Sequence, residues 1–254
     1  MKEGSSEIYP REFDIREILA ISWEVYCSHY SSLFTLAFIV YLPLNIFLAF
    51  FPITSLSEFN PSDYLSWLRI FGSMNIAVYL SFLGNVAIAI ALKRKLYTND
   101  YSLTAVIKEI YGKYIKYFAV NTIMLAVVFL CFNLWMSFSI TFPNIFLILL
   151  IPIGLYLIYW SFAIYAFAFE DLNLYQSMKY SYAMVNGRWT KVLYYVLSFI
   201  LLSVLTTLIL GLPYSYLHNA LIIKIIYTNL VSVVISYFVV AFIVFYVNFD
   251  DNKL

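Results

Sequence analysis

Ionisable side chains are scarce. Lys and Arg number 15 and Asp and Glu 14, so 11% of the 254 residues are charged, against ~25% in an ordinary soluble domain. That shortage excludes a solvated globular surface of the usual kind. The net charge is +1, which removes the electrostatic basis for nucleic-acid binding. Cys27 precedes the first apolar stretch and Cys131 lies inside the third. Cysteines at such different depths imply no disulfide framework. The two histidines, His29 and His218, fall on opposite sides of the arrangement derived below, so they share no metal site. HExxH, GxSxG and Asp-rich phosphate–metal motifs are missing, and with them the usual warrants for an enzyme or a bound cofactor. No cleavable signal peptide is visible: the first apolar run follows thirty-two residues and lacks a short h-region with a small-residue cleavage site.

What the chain has instead is apolar length. Hydrophobic residues make up 63% of it. They gather in six runs, roughly Leu33–Phe51, Phe71–Leu92, Phe118–Phe138, Phe146–Phe169, Leu193–Leu212 and Leu230–Phe249. Each is close to the ~20 residues a helix needs to cross ~30 Å of hydrocarbon. No run carries Asp, Glu, Lys or Arg in its central part. The last contains fourteen Leu, Ile, Val or Phe residues. At about −0.3 to −0.6 kcal/mol each, these favour insertion by roughly 4–8 kcal/mol, an upper bound because the scale weakens away from mid-membrane. The expected fold is all-α: a polytopic membrane protein of six spans, with a single integral membrane domain over 1–254 and a cytoplasmic tail at 1–12.

Basic residues set the orientation. Lys2, Arg11 and Arg16 precede the first span, and Lys93, Arg94, Lys95, Lys108, Lys113 and Lys116 lie between the second and third. Lys179, Arg188 and Lys191 lie between the fourth and fifth, and Lys253 follows the last. These thirteen of fifteen share one side, leaving Arg69 and Lys224 for the other. The positive-inside rule places that side, with both termini, in the cytoplasm of a cell-membrane protein.

A threefold pattern precedes spans one, three and five. Phe13-Asp14-Ile15, Tyr101-Ser102-Leu103 and Leu172-Asn173-Leu174 each read large apolar, short polar, aliphatic. Asp14, Ser102 and Asn173 suit the N-cap, where a side-chain oxygen accepts from an orphan amide. Glu17 and Gln176 stand three residues on, as a capping box requires. An aromatic follows each cap by nine residues: Trp23, Tyr111 and Tyr182. The helices so opened are amphipathic. Ile15, Ile18, Leu19, Ser22 and Tyr26 share one face of the first, Leu103, Val106, Ile107, Ile110, Tyr114 and Tyr117 one face of the second, and Leu174, Met178, Ser181 and Val185 a weaker face of the third. Such helices lie in the interface with the apolar face among headgroups. Gly187 is expected to end the third, and Trp189 to anchor the next span in an aromatic belt. Three parallel units follow, near 13–92, 101–169 and 172–249.

Phe13-Asp14-Ile15-Arg16-Glu17-Ile18-Leu19, then Trp23 and Tyr41-Leu42-Pro43, resembles the opening of the six-span membrane domain of some glycerophosphoryl diester phosphodiesterases and related bacterial and archaeal membrane proteins. The stretch from Ser177 to Leu193, with its Gly187-Arg188-Trp189 turn, is similar to that group's most recognisable segment. The resemblance spans about 8–250. It implies the six-span fold and no hydrolase activity, because those phosphodiesterases carry their chemistry in a soluble barrel that has no counterpart in this sequence.

Within the spans, Asn45, Asn75, Asn85, Asn121 and Asn133 read either as a pathway or as interhelical glue. Glue is favoured because no intramembrane carboxylate or base accompanies them. Ser73, Ala77, Ser81, Asn85 and Ala89 recur every four residues along span two, a small-residue stripe that favours close helix packing over pore lining and puts that span at the bundle's centre. Pro43 and Pro152 interrupt spans one and four; a bend that improves packing is favoured over one that opens a cavity. Glu170 and Asp171 read as a hydrated helix end rather than a metal or acid–base pair. Lys93, Arg94 and Lys95 explain themselves as topogenic charges, yet with Arg188, Trp189 and Lys191 they are also candidate contacts for anionic lipid headgroups, at about 1 kcal/mol per charge.

Function is less legible. The favoured expectation is a non-enzymatic membrane protein that handles, senses or helps transport a lipid or other amphiphile at the cytoplasmic leaflet, with membrane lipids as its partners. The alternatives are the permease subunit of an exporter whose ATPase is a separate chain, a membrane scaffold or accessory protein, and, least favoured, an intramembrane lipid-modifying enzyme.

Overall fold

A computed structural model describes residues 13–50, 64–97, 102–112, 154–155, 158–170, 172–213 and 221–250. The elements are helices: α1 (Ile15–Ser28), α2 (Tyr30–Phe50), α3 (Tyr64–Tyr97), α4 (103–112), α5 (Ala163–Glu170), α6 (Leu174–Val185), α7 (Trp189–Gly211) and α8 (Leu221–Phe249). Four segments are long and apolar enough to cross a membrane: Tyr30–Phe50, Asn75–Lys95 within α3, Trp189–Gly211 and Leu221–Phe249. At 1.5 Å per residue, a 21-residue helix such as α2 is about 31 Å long, matching the ~30 Å hydrocarbon core. The chain is an all-helical membrane protein. These four are the first, second, fifth and sixth of the expected spans. The third expected span, and 146–153 and 156–157 of the fourth, Pro152 among them, lie outside the described residues, as do 1–12 and Asp171.

Two helices run further than hydropathy indicated. α3 continues through Lys93–Lys95, because lysine and arginine are good helix formers that end an apolar window without ending the helix. α8 begins at Leu221 rather than Leu230, because Ile222, Ile223, Ile225 and Ile226 extend the apolar run past the lone charge of Lys224. Pro43 sits inside α2, which continues through it. Proline removes the partner of the Ile39 carbonyl. At the adjacent turn, Asn229 Nδ2 donates to the Phe38 carbonyl at 2.9 Å.

The three rim helices α1, α4 and α6 repeat in detail. Asp14 and Asn173 each close a capping box, with Glu17 and Gln176 returning to the cap amide at 2.9 and 3.1 Å. Ser102 stands just before α4 and its hydroxyl pairs with Thr104 Oγ1 at 2.7 Å. The residue four after each cap (Ile18, Val106, Ser177) is fully buried, and its amide donates to the cap carbonyl. The aromatic nine after each cap faces outward: Trp23 is 59% exposed, Tyr111 77% and Tyr182 50%. Gly187 follows the cap Asn186 with φ +82°, a left-handed turn that glycine takes without a Cβ clash.

The apolar faces of the rim helices are not left to headgroups, however. α1 packs on α8 and α6 on α5. α4 is joined to the end of α3 by an Arg94–Glu109 ion pair of 3.1 Å. Each of α1, α4 and α6 thus meets a neighbouring helix: α8, α3 and α5 respectively. Tyrosines fasten α1 in place: Tyr26 Oη donates to the Val233 carbonyl and Tyr237 Oη to the Leu19 carbonyl, both at 2.9 Å.

The core joins α2, α3, α5, α7 and α8, with α8 touching α1, α2, α3 and α7. Of the four candidate spans, the Asn75–Lys95 window is the most buried at 61%, and α7 the least at 17%. The small residues of that window fit its close packing among the described helices. Aromatic side chains pack in one cluster, where Phe162 meets Phe242, Phe245, Tyr246 and Phe249, and Tyr195 stacks on Phe245 at 4.6 Å.

Candidate functional site

Where α2, α3, α5, α7 and α8 converge, packing leaves a cavity of about 370 Å³. Tyr41 and Leu44 line it from α2, Ser81 and Asn85 from α3, Tyr165 from α5, and Phe199, Ile200 and Ser203 from α7. α8 supplies its last wall, from Ser232 to Phe242. Those ten residues of rise are about 15 Å, so the cavity runs from mid-helix toward the rim-helix end. Among the described residues, no lining residue carries a formal charge. The small-residue stripe therefore divides. Ala77 and Ala89 are buried in packing, whereas Ser81 and Asn85 face the cavity, a use the expectation of helix packing alone did not include. Ser73 is half-buried in α3.

The cavity wall is built by close approach. Tyr41 lies so near Gly84 that a Cβ there would sit 2.5 Å from its ring. Its hydroxyl donates to Asn85 Oδ1 at 2.7 Å. One turn on, Asn45 Nδ2 donates to Asn229 Oδ1 at 2.9 Å and to Ser232 Oγ at 3.1 Å. With no water to compete, these bonds join α2 to α3 and α8. Asn45 and Asn85 thus act as the glue expected of them. Asn229 stands one residue before the apolar run Leu230–Phe249, so hydropathy alone does not single it out. Asn121 and Asn133 lie outside the described residues.

The rim-helix end carries a second polar cluster. Asn248 Oδ1 accepts from the Phe13 amide at 2.8 Å, and Tyr195 Oη donates to the Phe13 carbonyl at 2.7 Å. Tyr180 Oη lies 2.8 Å from both carboxylate oxygens of the fully buried Asp250. Tyr246 Oη donates to Glu170 Oε1 at 3.3 Å. Glu170 is thereby tied to α8 rather than serving only as a hydrated helix end.

The expected headgroup contacts gather at this end, but most engage the protein. Lys93 Nζ donates to the Ala168 carbonyl at 3.4 Å, and Arg94 pairs with Glu109. The Arg188 guanidinium lies 4.3 Å over the Phe249 ring, and Lys191 Nζ 5.8 Å over Tyr195. Lys95 lines a small recess with His29, and Trp189 is on the surface. Desolvation pushes the Tyr26 hydroxyl above its ordinary pKa. Among the described residues no three His, Cys, Asp or Glu converge on a metal position. Comparison with protein-family models, curated proteins and solved structures finds no match to this chain.

Proposed function

We propose that this chain is a non-enzymatic, multi-pass protein of the cell membrane that binds a lipid or other amphiphile from the cytoplasmic leaflet, to sense it or help move it. The observation that carries the reading is the uncharged cavity of about 370 Å³ between candidate membrane spans. Its size falls at the lower end of the ~300–1,000 Å³ typical of small-molecule sites. Binding is favoured over catalysis because the described wall offers hydroxyls and an amide, with no carboxylate or imidazole among those residues to activate them.

Six spans with both termini inside complete the reading. Of the basic residues, Arg16, Lys93, Arg94, Lys95, Lys108, Lys179, Arg188 and Lys191 belong to the rim-helix end and Lys224 to the other, which turns the rim helices toward the cytoplasm. Trp23, Tyr111 and Tyr182 then form an aromatic belt at the headgroups. The likeness to the phosphodiesterase-linked membrane domain agrees with this layout. A permease subunit served by a separate ATPase would use the same outward rim faces for docking, and co-purification of a nucleotide-binding protein would favour it.

The test is direct. Protein purified in mild detergent is extracted for lipid, and the reconstituted protein is assayed for lipid redistribution in liposomes. Retained amphiphile in stoichiometric amount is expected. Protein that retains none and leaves lipid distribution unchanged would defeat the proposal.

A further inference from the structure

Resting on the reading of the cavity as an amphiphile site, we propose that it selects an uncharged acyl ester or amide, whose carbonyl is held by the Tyr165 hydroxyl and the Asn85 amide. Three observations carry this.

The first is the absence of charge among the described lining residues. A phosphate, carboxylate or ammonium group placed there would lose its hydration with no counter-ion, the costliest form of burial. The charged headgroup of a phospholipid is therefore excluded from the cavity.

The second is a pair of donors without acceptors. Tyr165 is only 7% exposed, its ring stacks on Phe242 at 5.4 Å, and its hydroxyl has no hydrogen-bond partner among the described residues. Tyr41 occupies Asn85 Oδ1, which leaves the Asn85 Nδ2 hydrogens likewise unpartnered among the described residues. Buried donors are almost always satisfied in native proteins. Tyr165 is buried and Asn85 half-buried, both line one cavity, and an acceptor inside it would satisfy both. A carbonyl oxygen has two lone pairs and takes both.

The third is the remaining wall. Leu44, Phe199, Ile235, Val239 and Phe242 offer apolar surface for a hydrocarbon chain. Ile200 both lines the cavity and is 51% exposed on the outer face of α7, so the cavity reaches the lipid-facing surface of that helix. A chain slides in sideways there without passing through water.

The experiment compares three oleoyl probes on the full-length protein in nanodiscs: monoolein, lysophosphatidylcholine and oleate. Binding is read by native mass spectrometry and by the rise in Tm. Monoolein is expected to bind at least tenfold more tightly than either charged probe. Tyr165→Phe keeps the ring and its stacking but loses the hydroxyl. It is expected to leave the Tm of the empty protein equal or higher while weakening monoolein about tenfold, the scale of one buried hydrogen bond. Equal binding of monoolein and lysophosphatidylcholine, or undiminished monoolein binding by Tyr165→Phe, would overturn the selectivity while leaving amphiphile binding in place. Failure of all three probes would remove the amphiphile site itself.

Discussion

Replacing Gly84 by alanine tests the cavity wall at its tightest point. The new methyl would lie 2.5 Å from Tyr41 Cε1, 2.9 Å from Cζ and 3.0 Å from Cδ1. Tyr41 is buried and held by Asn85 at 2.7 Å, so its ring can retreat only by moving into the cavity it lines and giving up that bond. Overpacking of this kind costs about 1–3 kcal/mol. Displacing the ring also sacrifices a hydrogen bond worth ~0.5–1.5 kcal/mol. Against this, alanine is favoured over glycine in a helix by ~1 kcal/mol. The balance is a net loss of about 1–3 kcal/mol, measurable as a shift in the midpoint of reversible unfolding in mixed micelles. The sign should reverse when the obstacle is removed. In a Tyr41→Leu background, Gly84→Ala should be neutral or stabilising by up to ~1 kcal/mol. Gly84→Ala that stabilises the protein with Tyr41 in place would show that α2 and α3 do not approach as described.

Three further outcomes are expected. Asn229→Ala and Asn45→Ala should each cost about 1–2 kcal/mol, with a double variant costing less than their sum, since they share one interhelical bond while Asn45 has a second to Ser232 and Asn229 a second to the Phe38 carbonyl; strictly additive losses would contradict it. A variant keeping Trp23 as its only tryptophan, the other four of the five changed to Phe, should be quenched by lipids brominated near the headgroup and far less by lipids brominated at the chain end. Quenching strongest at the chain end would refute a rim position. The Tyr26 hydroxyl has its pKa raised above 10.0 in the folded protein, so folding favours its neutral form. Its contribution is complete below pH 10 and declines as pH rises through the folded pKa, and alkaline titration of α1 docking should lose that component in Tyr26→Phe, while an unchanged profile would count against it.

Local features were legible in the chain and assembled ones were not. Asp14, Asn173 and Gly187 act through backbone groups a few residues away, so spacing alone revealed them. Apolar length revealed the spans, because lipid rewards it regardless of neighbours. The burial partners of Ile18, Ser22 and Tyr26 could not be read, since a 3.6-residue period looks the same whether lipid or α8 covers the face. The cavity was hidden for a related reason. Tyr41, Asn85, Tyr165, Ser203 and Ser232 come from five helices and share no local pattern. Helical hydroxyls such as Ser203 and Ser232 also bond their own backbone, which disguises them as ordinary span residues.

The fastening of Phe13 to Asn248 and Tyr195 has a temporal meaning. Its partners lie 235 and 182 residues downstream. A ribosome adding ~5–20 residues per second makes the former roughly 10–50 s after the latch point itself. The opening helix must therefore wait, unlatched, while the intervening polypeptide enters the bilayer. α8 captures the start of α1 only once it has itself been made, so truncation near Asn248 would release Phe13 before disturbing the helices between them.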